Sequence, residues 1–274
     1  SPEVISSSGD YFEGSTVSLS WTLGEIATET YDNGNVILTQ GFQQPFGVVL
    51  HGIDLDALVY LEGPYSSGTM NSDLRDNGII PLSQPYNMLP WNYTGSESVA
   101  SIPADVVDWV LIDLRDATSA SNATPATSVE MKAGFLLSSG SVVDLDGSSV
   151  LSFTASIIND PYIVVWHRNH LGVLSASPLS ESGGVYTYDF SASLSAAHGG
   201  GAGYKMIETG VYGMAGGDAN GDGFINNADK TIWENEVGTG GYTTPDHNMD
   251  AQVNNQDKND SWVENTSLNS QVPD

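Results

Sequence analysis

The chain has 274 residues, of which 34 are Asp or Glu and only 7 are Lys or Arg, a formal net charge of -27. That balance excludes nucleic acids and anionic membrane surfaces as partners, because both are recognised through Lys and Arg, and it makes divalent cations the natural counterions. Cysteine is absent, which removes disulfides, thiolate chemistry and zinc–thiolate sites, and no apolar run approaches the roughly 18 residues of a membrane span.

The opening "SPEVISSSGD" has neither a basic nor an apolar leader, so the chain reads as a mature, processed form. Its Ser, Thr, Gly, Asn and Asp content suits a secreted or cell-surface bacterial protein. Residues 1–46 predict a small β-meander. "TVSLSWTL" alternates, with Val17, Leu19, Trp21 and Leu23 on one face. "ATETYDNGNVILTQGF" reads as a hairpin turning at Asn33-Gly34. A three-stranded sheet cannot cover its own apolar face, so the meander must pack on the rest of the chain or on another molecule.

Residues 47–214 carry a succession of short strand-like runs, among them "DWVLIDLRD", "VEMKAGFLL" and "YIVVWHR". They predict a mainly β fold with a β-sandwich or jelly-roll-like body. A long insertion, Tyr60–Tyr93, interrupts them. Its Tyr65, Tyr86, Trp91 and Tyr93 suit either an aromatic platform for a glycan or ordinary loop anchors. In "LIDLRDA", Asp113, Arg115 and Asp116 could be paired acids for glycoside hydrolysis; a charge pair on an alternating strand is the plainer reading. In "WHRNH", His167 and His170 are either metal ligands or structural residues at a strand end, and the lack of adjacent carboxylates favours the second. There is no G-x-S-x-G elbow, phosphate loop or dinucleotide motif, so no enzyme is expected.

Residues 215–274 change character, and an internal repeat appears. "DANGDGFINNADK" from Asp218 and "DHNMDAQVNNQDK" from Asp246 share Asp, Asn, Asp, Asn, Asn, Asp and Lys at matching positions. The first stretch fits a twelve-residue calcium loop. Asp218, Asn220 and Asp222 alternate, and Gly223 supplies the sharp turn. Phe224 offers its carbonyl, Asn226 binds directly or through water, and Asp229 closes the loop. Hard oxygens at this spacing are what Ca2+ takes from one short segment. The second loop offers Asp246, Asn248, Asp250, the Gln252 carbonyl, Asn254 and Asp257. Ala251 stands where the glycine should be, at an expected cost of about 1–2 kcal/mol, so the second site should be the weaker. Ile225 and Val253 are the expected apolar anchors between paired loops.

Two loops of this kind, each followed by one helix beginning at "DKTIWENEV" or "DKNDSWVEN", resemble the dockerin family over residues 217–264. The resemblance implies two Ca2+ sites and docking onto cohesin partners through the helices. Ala251 and the one-residue shift between Trp233 and Trp262 depart from that pattern. "SWTLGEIATETYDNGNVILTQGFQQP", "VDWVLIDLRDA" and "VVWHRNHLGVLSA" look like parts of large secreted surface proteins of Bacteroidetes, often found near a type nine secretion signal. That likeness implies display at or beyond the cell surface. The expected domains are 1–46, 47–214 and 215–274. The leading expectation is a calcium-stapled structural protein that self-associates or binds another surface protein, with filament assembly by strand addition. The alternative is a carbohydrate-binding or cohesin-docking accessory module. Chelation should then release residues 217–264 and leave the β body folded.

Overall fold

The computed structural model describes residues 52–274 and, before them, four strand segments: β1 (Ser8–Glu13), β2 (Ser18–Leu23), β3 (Glu29–Asp32) and β4 (Ile37–Gln40). The chain divides into two compact units, Ser1–Val49 and Leu50–Asp274. In the first unit β1 pairs with β2 and β3 with β4, both antiparallel. The described strands therefore make two hairpins instead of the expected three-stranded meander. The Asn33-Gly34 turn lies outside the described residues. So does any contact that would say what covers the meander.

The second unit is mainly β, as the strand-like runs predict. Its strands are β5 (Ile53–Leu58), the short pair β6 (Tyr65–Ser66) and β7 (Thr69–Met70), β8 (Val106–Ala117), β9 (Ser128–Leu137), β10 (Ser141–Val143), β11 (Leu151–Phe153), β12 (Asp160–Trp166), β13 (Val173–Leu174), β14 (Ser180–Ser182), β15 (Val185–Asp189), β16 (Tyr204–Glu208) and β17 (Val211–Met214). Nine of them form one mixed sheet in the order β13-β12-β8-β9-β10-β5-β15-β14, with β11 also on β5. All pairs are antiparallel except β15 with β5.

β5 shows why this sequence makes a sheet. Ile53, Leu55 and Ala57 are buried while Asp54 and Asp56 are not, the period of two that puts one face in the core. β8 differs, being buried along almost its whole length. It sits centrally between β9 and β12, and both of its faces are covered. Trp109, Leu111 and Phe135 belong to the main core, while Tyr162, Val164 and Leu174 pack with Ala117, Ala120 and Ala123 in a second cluster. A strand buried on both faces must pair its polar groups internally. Accordingly Arg115 and Asp113 form a buried ion pair at 2.8 Å.

Residues 215–274 fall within the compact unit Leu50–Asp274 and pack on the body there. They contain α2 (Asn227–Glu236), then a π-helical segment (Asp257–Trp262) running into α3 (Val263–Asn265); the earlier helical turn α1 is Asp73–Asp76. A glycine marks how closely the two parts approach. A Cβ on Gly63 would lie 1.8 Å from the His247 carbonyl oxygen, so no larger residue fits there without moving backbone.

Candidate metal centre

The two repeats fold alike and share five backbone-to-side-chain hydrogen bonds. In the first, Asp229 accepts from the N–H groups of Asn220 and Asn226, Asn220 accepts from Asp222, Asp222 from Phe224, and Asp218 from Gly223, all within 2.8–3.2 Å. In the second, Asp257 accepts from Asn248 and Asn254, Asn248 from Asp250, Asp250 from Gln252, and Asp246 from Ala251, over the same range. The sharp turns agree too. Gly221 and Gly223 have φ of 70° and 83°, and Met249 and Ala251 have 61° and 73°. Ala251 thus adopts the left-handed conformation that its position demands, with the strain this imposes on a residue bearing a Cβ.

The closing residues also start the helix. Asn226 caps α2 by accepting from the Ala228 N–H at 2.7 Å, while Asp229 accepts from the Asn226 N–H. This reciprocal arrangement is a capping box. Asn254 and Asp257 repeat it, with the Gln256 N–H donating to Asn254 at 2.7 Å. One short sequence therefore does two jobs: it shapes the oxygen cage and it nucleates the exiting helix.

The one-residue shift between Trp233 and Trp262 has a structural answer. Trp233 follows Asp229 by four residues and Trp262 follows Asp257 by five. The second helix absorbs the extra residue as a π-helical turn. As a result both indoles reach equivalent places: Trp233 Nε1 donates to the Asn254 carbonyl and Trp262 Nε1 to the Asn226 carbonyl, each at 2.7 Å. Ile225 and Val253, both 1% exposed, do not pair with each other through their backbones. Ile225 pairs with Ser267 and Leu268, and Val253 with Gly238 and Thr239. Each loop is thus closed by the segment leaving the opposite helix.

Between the loops sits "WHRNH". The Asn169 carbonyl accepts from the N–H groups of Gly217 and Asp218. Its side chain donates to the carbonyls of Thr244, at 2.9 Å, and Asp246, at 2.7 Å. Asn169, fully buried, therefore holds the first residue of both loops at once. Gly63 N–H donates to His170 Nε2 at 3.3 Å, so Nδ1 carries the proton and serves Asn169 Oδ1 at 2.8 Å. His167 Nδ1 lies 3.1 Å from the same His170 nitrogen and accepts there, and His167 Nε2 donates to Asp108. Asp108 also accepts from Arg168 and Tyr242, each at 2.7 Å. Burial pushes the Asp108 carboxyl up, but Arg168, His167 and Tyr242 together pull it down to about 2. Burial keeps His167 and His170 neutral by lowering both pKa values. Of the two readings of these histidines, the structural one matches this network. A second seam joins Glu62 to Lys205, Asn265 and the Gly216 N–H, and Asn265 donates to the Gly216 carbonyl at 2.7 Å.

Among the described residues no three His, Cys, Asp or Glu side chains stand together closely enough to hold a cation by themselves. The loops instead offer carboxylates mixed with amide and carbonyl oxygens, the mixture Ca2+ accepts. Two observations fit that ion. Asp218 Oδ1 is buried without a hydrogen-bond partner, which is costly unless something else binds it. Burial and the neighbouring Asp229 push Asp218 up to about 7. In the second loop burial, opposed by Arg168 and reinforced by Asp257 and Asp250, brings Asp246 to about 7 as well. These are carboxylates crowded around a point where positive charge is wanted.

The other candidates scatter. Asp116 accepts from the N–H groups of Ile158 and Asn159, apart from the Asp113–Arg115 pair. The four aromatics form no common platform. Tyr86 is core, donating to the Trp109 carbonyl at 2.7 Å. Tyr65 packs on Tyr60 and donates to Glu208. Tyr93 donates to Glu97. Trp91 lines a cavity beside Gly221–Phe224. Asn169, Asp108 and Glu62 were invisible to motif reading, because nothing in their spacing relates them to residues some 50 to 200 positions away. No protein-family model, curated protein or solved structure matches the chain.

Proposed function

We propose that this is a secreted structural protein in which two Ca2+ ions lock the end of the chain onto its β body. The observation that carries the reading is Asn169. One residue of the body bonds the first residue of both calcium loops, Asp218 through its backbone carbonyl and Asp246 through its side chain, so each ion would hold a loop and, through it, the seam. Ca2+ would be bound by Asp218, Asn220, Asp222, Asp229 and the Phe224 carbonyl, with Asn226 direct or through water, and by their equivalents in the second loop. It supplies positive charge to buried carboxylates that otherwise repel.

The arrangement supports a staple over a docking module. The second helix turns Ser261 and Asn265 into its own chain, where both are buried, so it is not free to serve as one of two interchangeable docking helices. A staple of this kind suits extracellular surroundings, where calcium is abundant. Among the described residues each N-terminal strand has one partner, and an open strand edge is the sort used for strand addition between copies, which makes display in a filament or surface layer the fitting setting.

Calorimetric titration tests the metal reading. Two ions per chain are expected, and chelation should lower the melting temperature of the whole second unit in one transition. A chain that binds no Ca2+, or melts identically in chelator, refutes the proposal. Survival of the β body with residues 217–264 unfolded would restore two independent parts. Electron microscopy with and without residues 1–46 tests the assembly reading, which fails if filaments form equally without them.

A further inference from the structure

A cavity of about 440 Å³ opens beside the first calcium loop. Its size is that of a small-molecule site. One wall is the loop itself, Gly221 to Phe224; the facing walls are Trp91, Met131 and Trp166, and the Asp113–Arg115 pair lines it as well. Trp91 is held rigidly. Tyr86 meets its ring edge-on at 5.0 Å and is itself tied to Trp109. On its other side Trp91 comes so close to the loop that a Cβ on Gly221 would lie 2.9 Å from the indole. Among the lining residues Phe224 is 56% exposed, and Met88 and Leu89, which precede the lining residue Pro90 in the chain, are 72% and 80% exposed. Apolar side chains this exposed, beside a formed cavity, mark a contact surface.

The charges narrow the ligand. Asp113 is paired with Arg115, so the remaining charge on the lining is negative, from Asp222 and Asp274. Ser128 donates to Asp113 and Ser270 to the Gly172 carbonyl, and both hydroxyl oxygens retain acceptor capacity. Aromatic side chains beside hydroxyl acceptors suit a ring with an apolar C–H face and hydroxyls at its edge. An anionic ligand would meet Asp113, Asp222 and Asp274 against the single guanidinium of Arg115.

We infer that this cavity binds the end of a neutral oligosaccharide, with Trp91 as the stacking surface and the first calcium loop as one wall. The calcium dependence of binding rests on the calcium reading above; the pocket itself does not.

The test uses the full chain with excess Ca2+ and a panel of neutral tetrasaccharides, the gluco-, manno- and xylo-oligomers, with tetragalacturonate as the anionic comparator. At least one neutral probe should bind and shift the indole N–H resonances of Trp91 and Trp166, leaving those of Trp233 and Trp262 in place. Trp91→Ala should weaken binding about tenfold or more, equivalent to about 1.4 kcal/mol, and Trp91→Phe should recover part of it. The proposal is overturned if no neutral probe binds the folded, calcium-loaded chain, if the resonance shifts lie elsewhere, or if tetragalacturonate binds equally well. Calcium stoichiometry is measured separately without sugar. Sugar binding that persists in chelator, with two Ca2+ sites intact, removes the calcium dependence and leaves the pocket. Sugar binding by a chain that takes up no Ca2+ overturns the staple and leaves the pocket as well.

Discussion

Asn169→Ala is the sharpest test of how the molecule is held together. The side chain makes three hydrogen bonds, a half-buried one to Thr244 at 2.9 Å and buried ones to Asp246 at 2.7 Å and with His170 at 2.8 Å. Each bond is worth about 1 kcal/mol net, and leaving its partner unsatisfied in the interior costs about 1–3 kcal/mol. The carbonyls of Thr244 and Asp246 can relax toward water only by opening the seam, so a loss of about 3–5 kcal/mol is expected. Against a total stability of about 5–15 kcal/mol, that is a large share. For a unit of this size each kcal/mol moves the melting temperature by about 2–4 °C, giving a drop on the order of 10 °C. Thermal unfolding in excess Ca2+ reads the stability, and calorimetry reads both sites. The Asn169 carbonyl that holds Asp218 survives the substitution, while the side-chain bond to Asp246 is lost, so the affinity of the second loop should fall more than that of the first. A shift under about 2 °C with both affinities unchanged would refute the idea that this residue couples the loops to the body.

Other consequences follow from single residues. Asp218 and Asp246 stand near 7 without metal, so Ca2+ uptake at pH 7 should release protons and uptake at pH 9 should not. Calorimetry in buffers of different ionisation enthalpy measures this, and buffer-independent heats at pH 7 would contradict it. In the calcium-loaded protein those carboxylates stay ionised, so the buried histidines govern the acid limb. His167 and His170 are lowered by burial, and His247 is lowered to about 4. The unfolded chain takes up protons below about 6.5 where the folded one does not. Stability should therefore fall as pH drops from 6.5 toward 4, and a flat melting profile across that window would count against neutral buried histidines. Ala251→Gly, at φ 73°, should stabilise by up to about 1 kcal/mol and tighten one calcium site, readable as a narrowed gap between the two affinities. Gly63→Ala should destabilise by several kcal/mol through the clash with His247, seen as a lowered denaturation midpoint; an unchanged midpoint would show that this backbone contact yields freely.

Much of the site was legible in the order of residues because it is local. Asp218 to Asp229 and Asp246 to Asp257 are each set by the chain's own short-range geometry: alternate oxygens, a left-handed turn and a helix cap within twelve positions. The mainly β character was equally legible, since the alternation along Ile53–Leu58 is a period of two whatever the fold. Neither the seam nor the pocket could be read that way. Trp233 and Trp262 looked misaligned by one residue until the π-helical turn brought both indoles onto the opposite loop.

By itself, then, the sequence determined which residues can cage a cation and which segments must be strands, because those depend on spacing along one chain. The tertiary structure decided everything that depends on who meets whom. It made the two Asp- and Asn-rich loops part of the β body, because Asn169 and Glu62 supply partners to backbone groups of Gly216, Gly217, Asp218 and Asp246 that cannot be left bare. It also set Trp91 against Gly221, because only a residue without a side chain lets an indole approach so near.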